Sequence, residues 1–374
     1  MMFGYHLAKI LRPTLAVTTD ILIVGAGIAG AGLAWALSGQ GHHITLIDME
    51  ANAGHHATGR SAAMFEPRYG PPIIQELTKA SAEFFAEHFA SPRGSLMLCD
   101  PSDQSLMQEA LSLGFVAISK TQAHALMPLL RDGPIGFLYD SETQDLDVHG
   151  LHQFYLSSHR HSGGQIALNT QFINAKPLAQ GWKVTTNHGE IHAGLIVNAA
   201  GAWADVIAAR SGVQPIGLQP KRRSIALARM PDLNPAWPQI FPAVEDFYCK
   251  PQSGLMLISP ADADDAEPGE TWADELRIAE GIAAFEKRIE FTVTRLETTW
   301  AGLRSFAPDG DPVVGFDEQA PGFFWLAGQG GYGIQTSPAL SQLAANWIVT
   351  SPPEHRLQPQ RLRLAKPISR HDLA

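Results

Sequence analysis

The sequence predicts an α/β protein in which a Rossmann-like dinucleotide-binding domain carries a second, α+β substrate domain built on a mixed or antiparallel sheet. Three observations predict it. The apolar run ILIV leads directly into Gly25, Gly27 and Gly30 and then into a helical segment. Strand–glycine–helix patterns return at 195–203 and 325–338. Between those returns, from Gly217 to about Phe291, the chain is rich in β-type segments such as SIALA, FYCK and LMLIS. A chain of 374 residues suits two domains at roughly 150 residues each.

Taken in order, the first unit is a strand at 21–24, a helix at 28–40 and a strand at 43–48, joined by a parallel crossover. Pro71 and Pro72 open an amphipathic helix that runs to about Phe89. A mixed region follows, with SLMLCD as a strand, a helix near 103–113, short strands near 116 and 136, and a helix from Thr121. Helix 149–161 stops at Gly163 and Gly164. QIALN, GWKVTTN and EIHAGLIVNAAG are successive strands, and Ala202 to Ser211 is a helix. Helix 274–288 interrupts the β-rich stretch, and the acidic, Pro- and Gly-containing segment 260–270 is a surface loop. FFWLA is a strand, followed by GQGGYG and a helix from Ser337 to about Val349. The cofactor domain is therefore discontinuous, at 20–65, 148–212 and 300–350. The substrate domain takes 66–147 and 213–299, and 1–19 and 351–374 are extensions.

Composition excludes some functions. The net charge of −10 argues against nucleic-acid binding and general attraction to anionic membranes. Cys99 and Cys249 fit no metal spacing and no disulfide framework, which points to a reducing, cytoplasmic compartment. Ile21 to Gly39 carries no charge and is long enough to span a membrane. Its strand–turn–helix grammar predicts a soluble core instead.

The glycine pattern carries the first chemistry. Gly25 permits a tight turn, Gly27 lets the backbone approach a pyrophosphate, and Gly30 lets helix and strand pack closely. The pyrophosphate would lie at the helix N-terminus, where amides are free and the dipole is positive. Asp48 ends the next strand, placed to accept hydrogen bonds from a ribose. After Asp48 the chain leaves for a mixed domain rather than building a second crossover half, which disfavours NAD. The late GQGGYG can aim a helix N-terminus at a flavin ring, which favours FAD.

GAGIAG, HHATGRSAAM, NAAGAW, LQPKRRS, TWAGLRSFAPDGDPVVG and GQGGYGIQTS together resemble the D-amino-acid oxidase-like flavoprotein family, over residues 21 to about 349. Within it, GLQPKRRS at 217–224 is most similar to bacterial FAD-dependent D-amino-acid dehydrogenases of the D-arginine dehydrogenase type. The resemblance implies a glutathione-reductase-like domain holding FAD noncovalently. Its contacts would come from Gly25, Gly27, Ala29, Gly30, Asp48 and Met49, and from the loop Ala57, Thr58, Gly59, Arg60, Ser61 and Ala62. Phe172, Ala200, Gly201 and Gly302 would add to these, as would Gly330, Gly331, Tyr332, Gly333, Ile334, Gln335 and Thr336. Arg60 would neutralise phosphate or brace the loop. No metal is expected: His55 and His56 are adjacent, no H-x-x-x-H or cysteine partner follows, and the family places no ligand there. The two histidines read as a loop entry.

A carboxylate clamp needs arginine, whose planar fork binds carboxylates bidentately. The resemblance points to Arg223 and Arg304 for it. Tyr69 and Tyr248 would set hydroxyls near the substrate, with Gly331 and Gln335 orienting the amine. One departure stands out. Arginine-type enzymes carry an acid soon after a Pro-Arg pair, and here Ser95 follows Pro92-Arg93-Gly94. Met64 also replaces a histidine of that branch. The pocket is therefore expected to take neutral, apolar D-amino acids, which are oxidised to 2-oxo acids and ammonia by hydride transfer from Cα to flavin N5. No protein base is evident in the motifs, and deprotonation of the amine through solvent would suffice. The acceptor would be a quinone, a redox protein or oxygen, and peripheral contact with an inner membrane is compatible with the family. The rivals are a secondary-amine enzyme of sarcosine, glycine or proline type, a tRNA-modifying flavoprotein, and a redox-inactive FAD-binding partner.

Overall fold

The computed structural model describes residues 17–134 and 136–350. Along the chain run β1 (Val17–Val24), α1 (Ile28–Ala36), β2 (Ile44–Ile47), β3 (Met64–Phe65), α2 (Pro72–Ala80), α3 (Ala82–His88), β4 (Ala90–Pro92), β5 (Ser95–Cys99), α4 (Gln104–Ser112), β6 (Val116–Ala117), α5 (Lys120–Leu126), β7 (Gly136–Asp140), β8 (Gln144–Leu146) and α6 (Val148–His161). There follow β9 (Gln165–Ala167), β10 (Phe172–Pro177), β11 (Trp182–Thr186), β12 (Gly189–Asn198), α7 (Ala204–Arg210), β13 (Gln219–Ala228), β14 (Gln239–Pro242), β15 (Tyr248–Gln252), β16 (Leu255–Ser259), α8 (Glu275–Arg288), β17 (Leu296–Phe306), β18 (Val313–Phe316), β19 (Phe323–Ala327) and α9 (Gly333–Thr350).

Two eight-stranded sheets organise these elements. The first runs β10-β11-β12-β1-β2-β9, with β19 beside β12 and β18 beside β19. Its centre is parallel: β1 pairs with β2 and β12, and β12 with β19. Both faces of β1 are buried over its apolar half, Ile21 to Val24, as a central parallel strand requires. On one face α1, α6 and α9 pack around Leu33, Tyr155 and Leu340, and Trp325 and Ile207 belong to the core on the other. The second sheet runs β17-β13-β16-β15-β14-β5-β7-β6 and is antiparallel except where β14 meets β5. Its core gathers Leu96, Phe247, Ile258 and Phe285. A small sheet, β3-β8-β4, completes the set.

Several expectations are corrected. The first helix ends at Ala36, not residue 40, because Gly39 and Gly41 take φ of +78° and +83°. The helix expected from Pro71 to Phe89 is two helices that break at Ser81. β10 and β14 were not anticipated. Residues 300–306 belong to β17, whose register against β13 runs from Gln219↔Phe306 to Ala228↔Leu296, so they lie in the second sheet. The last helix starts at Gly333 rather than Ser337, and Pro338 is held inside it, with Ala339 N–H donating to Ser81 Oγ (3.2 Å). Ile21–Gly39 is a strand, a turn and a helix; among the described residues no helix is long and apolar enough to cross a membrane. Of the expected extensions, 1–16 and 351–374 lie outside the described residues, while 17–19 are not an extension but the start of β1.

Candidate active site

β1 delivers Val24 to the wall of a cavity of about 820 Å³ that both large sheets line. At one end is the glycine turn. Gly25 has φ +106°, and a Cβ on it would sit 2.5 Å from the Ala199 carbonyl oxygen. A Cβ on Gly30 would fall 1.9 Å from the Gly25 carbonyl oxygen, so this packing admits glycine alone. Gly27 and Ala29 face the cavity at the N-terminus of α1. The Asp48 carboxylate accepts from Ala26 N–H (2.7 Å) and from Glu50 N–H (2.9 Å), so it fastens the turn as well as facing the cavity.

The HHATGRS loop forms the adjoining wall. Thr58 Oγ1 accepts from Ile28 N–H (2.9 Å), which binds the loop to the start of α1. Arg60 is a brace: it donates to the carbonyls of Thr271 (3.1 Å) and Ala301 (3.2 Å) and pairs with Glu270. Trp300 Nε1 donates back to the Arg60 carbonyl (2.9 Å). His55 and His56 are more constrained than a loop entry. Donor atoms of His55, His56 and Glu50 lie within 4.8 Å of one another, His56 Nε2 is 2.9 Å from Glu50 Oε1, and its ring packs on Trp203. Glu270 approaches both histidines, at 3.5 and 3.8 Å, and the Arg60 guanidinium supplies positive charge at the centre of this cluster.

At the other end, β13 and β17 present Arg223 and Arg304. The register sets Arg223 opposite Gly302 and Lys221 opposite Arg304, so all four share one face of the antiparallel pair. The missing side chain at Gly302 lets this face approach the loop; a Cβ there would lie 3.5 Å from Arg60 Cβ. Arg223 donates through Nε to the Asp262 carbonyl (2.7 Å), and its guanidinium carbon sits 5.9 Å from the centre of the Tyr248 ring. Arg304 makes no hydrogen bond or ion pair among the described residues. Burial works against its charge, but Tyr248, Tyr69 and Glu245 around it outweigh burial and raise its pKa. Tyr69 packs against Tyr332, and burial pushes its hydroxyl up to about 12, so it remains a neutral donor at ordinary pH. Buried donors Gln329 Nε2 and Gln335 Nε2, and buried Ser305 Oγ and Gln239 Oε1, lack partners within the described protein, and their residues line this cavity.

Tyr69, Arg223, Tyr248, Arg304, Gly331 and Gln335 therefore border one space. So do Gly25, Gly27, Ala29, Asp48, Met49, Ala57, Thr58, Arg60, Ser61, Ala62, Phe172, Ala200, Gly201, Gly302, Gly330, Gly333 and Ile334. Four expected contacts stand behind the wall. Gly30 and Gly59 are spent on backbone packing, against Gly25 and Gly54. The Tyr332 ring is taken up by Tyr69 and Phe306, and Thr336 Oγ1 donates to the Tyr332 carbonyl (2.9 Å). Ser95 does line the cavity, bonded to Thr143 (3.0 Å), but four carboxylates that the motifs did not single out also line it: Glu66, Glu245, Glu109 and Asp140, the last paired with Arg68 (2.7 Å). The one sequence signal for Glu66 was a lone acid in the otherwise apolar run SAAMFEP. Away from it, Met97, Leu106, Leu113, Phe115 and Phe241 make an apolar wall from β5, α4, β14 and their connections.

A glycine cradle that tolerates no Cβ, two helix N-termini side by side (a Cβ on Gly333 would lie 3.8 Å from Ile28 Cγ2) and unpartnered buried donors fit a dinucleotide carrying a flavin. The fold and this cavity define an FAD-dependent oxidoreductase. The family described as FAD dependent oxidoreductase, DAO, matches residues 20–347, and the chain belongs to it. Glycine oxidase of Geobacillus kaustophilus is 23% identical over 88% of this chain and 92% of its own length. The formaldehyde-forming 4-methylaminobutanoate oxidase of Paenarthrobacter nicotinovorans is 24% identical over 89% of this chain, which spans 44% of that longer protein. Among solved structures, L-proline dehydrogenase from P. horikoshii superimposes with a TM-score of 0.78 at 20% identity, covering 90% of this chain and 94% of that one.

Proposed function

We propose that the chain oxidatively deaminates D-amino acids with neutral, apolar side chains to 2-oxo acids and ammonia. The observation that carries this reading is Arg304, a half-buried guanidinium with no partner among the described residues, in a cavity lined by Tyr69 and Tyr248. A carboxylate is the partner such a group lacks, and the substrate would supply it. Arg223, fixed through its Nε, keeps its remaining N–H donors for the same anion. The wall of Met97, Leu106, Phe115 and Phe241 supports an apolar side chain. The D configuration rests on the similarity of GLQPKRRS to D-amino-acid dehydrogenases of the D-arginine dehydrogenase type.

Gly25, Gly27, Thr58 and Ser61 would hold FAD on one side, and Gly330 to Gln335 on the other. When bound, FAD supplies the acceptor for the hydride that leaves the substrate Cα. The protein contributes position: Arg304 and Arg223 hold the carboxylate, and Tyr69 and Tyr248 exclude water and steady the anion. The imino acid released is hydrolysed by water, and a quinone, a redox protein or oxygen would reoxidise the cofactor. Anaerobic mixing with a panel of D- and L-amino acids, followed by loss of flavin absorbance, tests the reading. Bleaching by D-leucine, D-methionine or D-phenylalanine is expected; preference for D-arginine or for L-isomers would overturn it.

A second reading is favoured by the relatives named glycine oxidase, 4-methylaminobutanoate oxidase and L-proline dehydrogenase. It assigns a secondary amine or glycine as substrate. Bleaching by sarcosine or proline, with primary D-amino acids inert, would establish it instead.

A further inference from the structure

Glu66 follows β3 directly and stands at the meeting point of both halves of the cavity. Its backbone N–H donates to Gln335 Oε1 (3.0 Å), tying it to the first turn of α9 on the cofactor side. Its carboxylate faces the substrate side, where its charged and titratable neighbours are Glu245 between β14 and β15, Lys250 on β15, Arg304 on β17, and Tyr69 on its own segment. Lys250 is already committed to Asp145 (2.7 Å). Arg304 and Glu66 share the cavity and feel each other's charge, yet no ion pair within 4.0 Å joins them. An anion receptor and a carboxylate that face one space without touching match the two charges of an amino-acid zwitterion.

We propose that Glu66 is the base of the site, taking a proton from the substrate ammonium while Arg304 holds the substrate carboxylate. The step balances as R-CH(NH3+)-COO− plus the Glu66 carboxylate giving R-CH(NH2)-COO− plus the Glu66 carboxylic acid. The nitrogen lone pair so freed forms the C=N bond as the hydride leaves Cα for the bound FAD. Burial, with the nearby Glu245 charge, lifts Glu66 from 4.5 to about 7, against the pull of Gln239, Lys250 and Arg304. A base with that affinity is present in both forms near neutrality, where proton transfer is best matched. Glu245 and Glu109 are exposed, Asp140 is paired with Arg68, and both Asp48 oxygens accept backbone amides, so none of these cavity carboxylates is placed as Glu66 is.

The inference rests on reading the cavity as an amino-acid site, and the test separates the two. The holoenzyme and E66Q are mixed anaerobically with the best bleaching substrate, from about pH 6 to about pH 10, where substrate amines deprotonate. E66Q is expected to bleach about 100-fold more slowly at neutral pH, with the deficit closing as solution supplies neutral amine. The wild-type limb near neutrality should vanish. Benzoate, a carboxylate without an amine, should perturb the flavin spectrum of both proteins with the same affinity. If E66Q fails to retain FAD, E66D serves, and it should keep the limb that the carboxylate creates. Unchanged rate and pH profile in E66Q, loss of benzoate binding in parallel with rate, or an E66D without the limb would overturn the assignment to Glu66 alone. If no amino acid bleaches the wild type, the amino-acid reading fails and this inference falls with it.

Discussion

The two ends of one cavity are built on opposite plans. At the cofactor end the polar side chains are already satisfied by protein. Asp48 holds two backbone amides, Thr58 holds the Ile28 amide, and Arg60 is fixed by Glu270, Thr271 and Ala301. At the substrate end the polar groups wait. Arg304 has no partner among the described residues, four buried amide or hydroxyl atoms are unbonded, and the Glu66 carboxyl and Tyr69 hydroxyl are both pushed up by burial. The first end holds a ligand that stays, so its shape is set beforehand by backbone and glycine. The second end holds a ligand that must be turned over, so its unsatisfied groups are the binding energy itself.

The largest effect should come from the waiting end. Arg304→Met removes the unpartnered guanidinium, and losing one member of a buried charge pair costs about 2–5 kcal/mol, so KM should rise roughly 30-fold to several thousandfold. FAD content should hold, because Arg304 carries none of the cradle. An unchanged KM in steady-state assays would break the comparison at its centre.

Next comes a substitution at the finished end. Gly30→Ala forces a Cβ to 1.9 Å from the Gly25 carbonyl oxygen, and the backbone must move. Overpacking of this kind costs about 1–3 kcal/mol or more. The protein should lose FAD and melt early, while any molecules that retain FAD keep a normal KM. Retention of FAD with wild-type melting would show that the cradle is looser than its packing implies. Tyr69→Phe should then cost less, roughly 0.5–1.5 kcal/mol in kcat/KM, the worth of one hydrogen bond. Loss of FAD in that variant would mean that Tyr69 serves the cofactor end.

The same division governs what the sequence disclosed. The cofactor end is local chemistry: the glycine turn, its strand and its helix are contiguous, so Gly25, Gly27 and Asp48 could be assigned from spacing. Arg223 and Arg304, which line the same cavity, could be named because each lies in a motif of its own. Glu66 was missed because its meaning is made at long range, by Gln335 from 269 residues away and by burial that sequence does not reveal. Arg60 was open between phosphate and brace for the same reason, since Glu270, 210 residues on, decides it. The absence of an acid at Ser95 points to a pocket for neutral, apolar side chains, and the fold brings Glu66, Glu109, Asp140 and Glu245 to the cavity from other segments. The start of α9 was placed late because glycines argued against helix, although helix N-termini accept them.

The smallest effect tests whether the waiting end stores unfavourable free energy in the folded protein. Glu66 holds its proton up to about pH 7 when folded but releases it near 4.5 when unfolded. Between those values the folded protein binds more protons than the unfolded chain, so stability must fall as pH rises through that window and level off above it. E66Q has no such proton to lose. Its melting temperature, measured on the holoenzyme, should gain on the wild type by on the order of 1–3 °C between about pH 5 and about pH 8, since ~1 kcal/mol moves a chain of this size by one or two degrees. A difference that stays flat across that range would mean that water reaches the Glu66 carboxylate freely, and that the substrate end is as settled as the cofactor end.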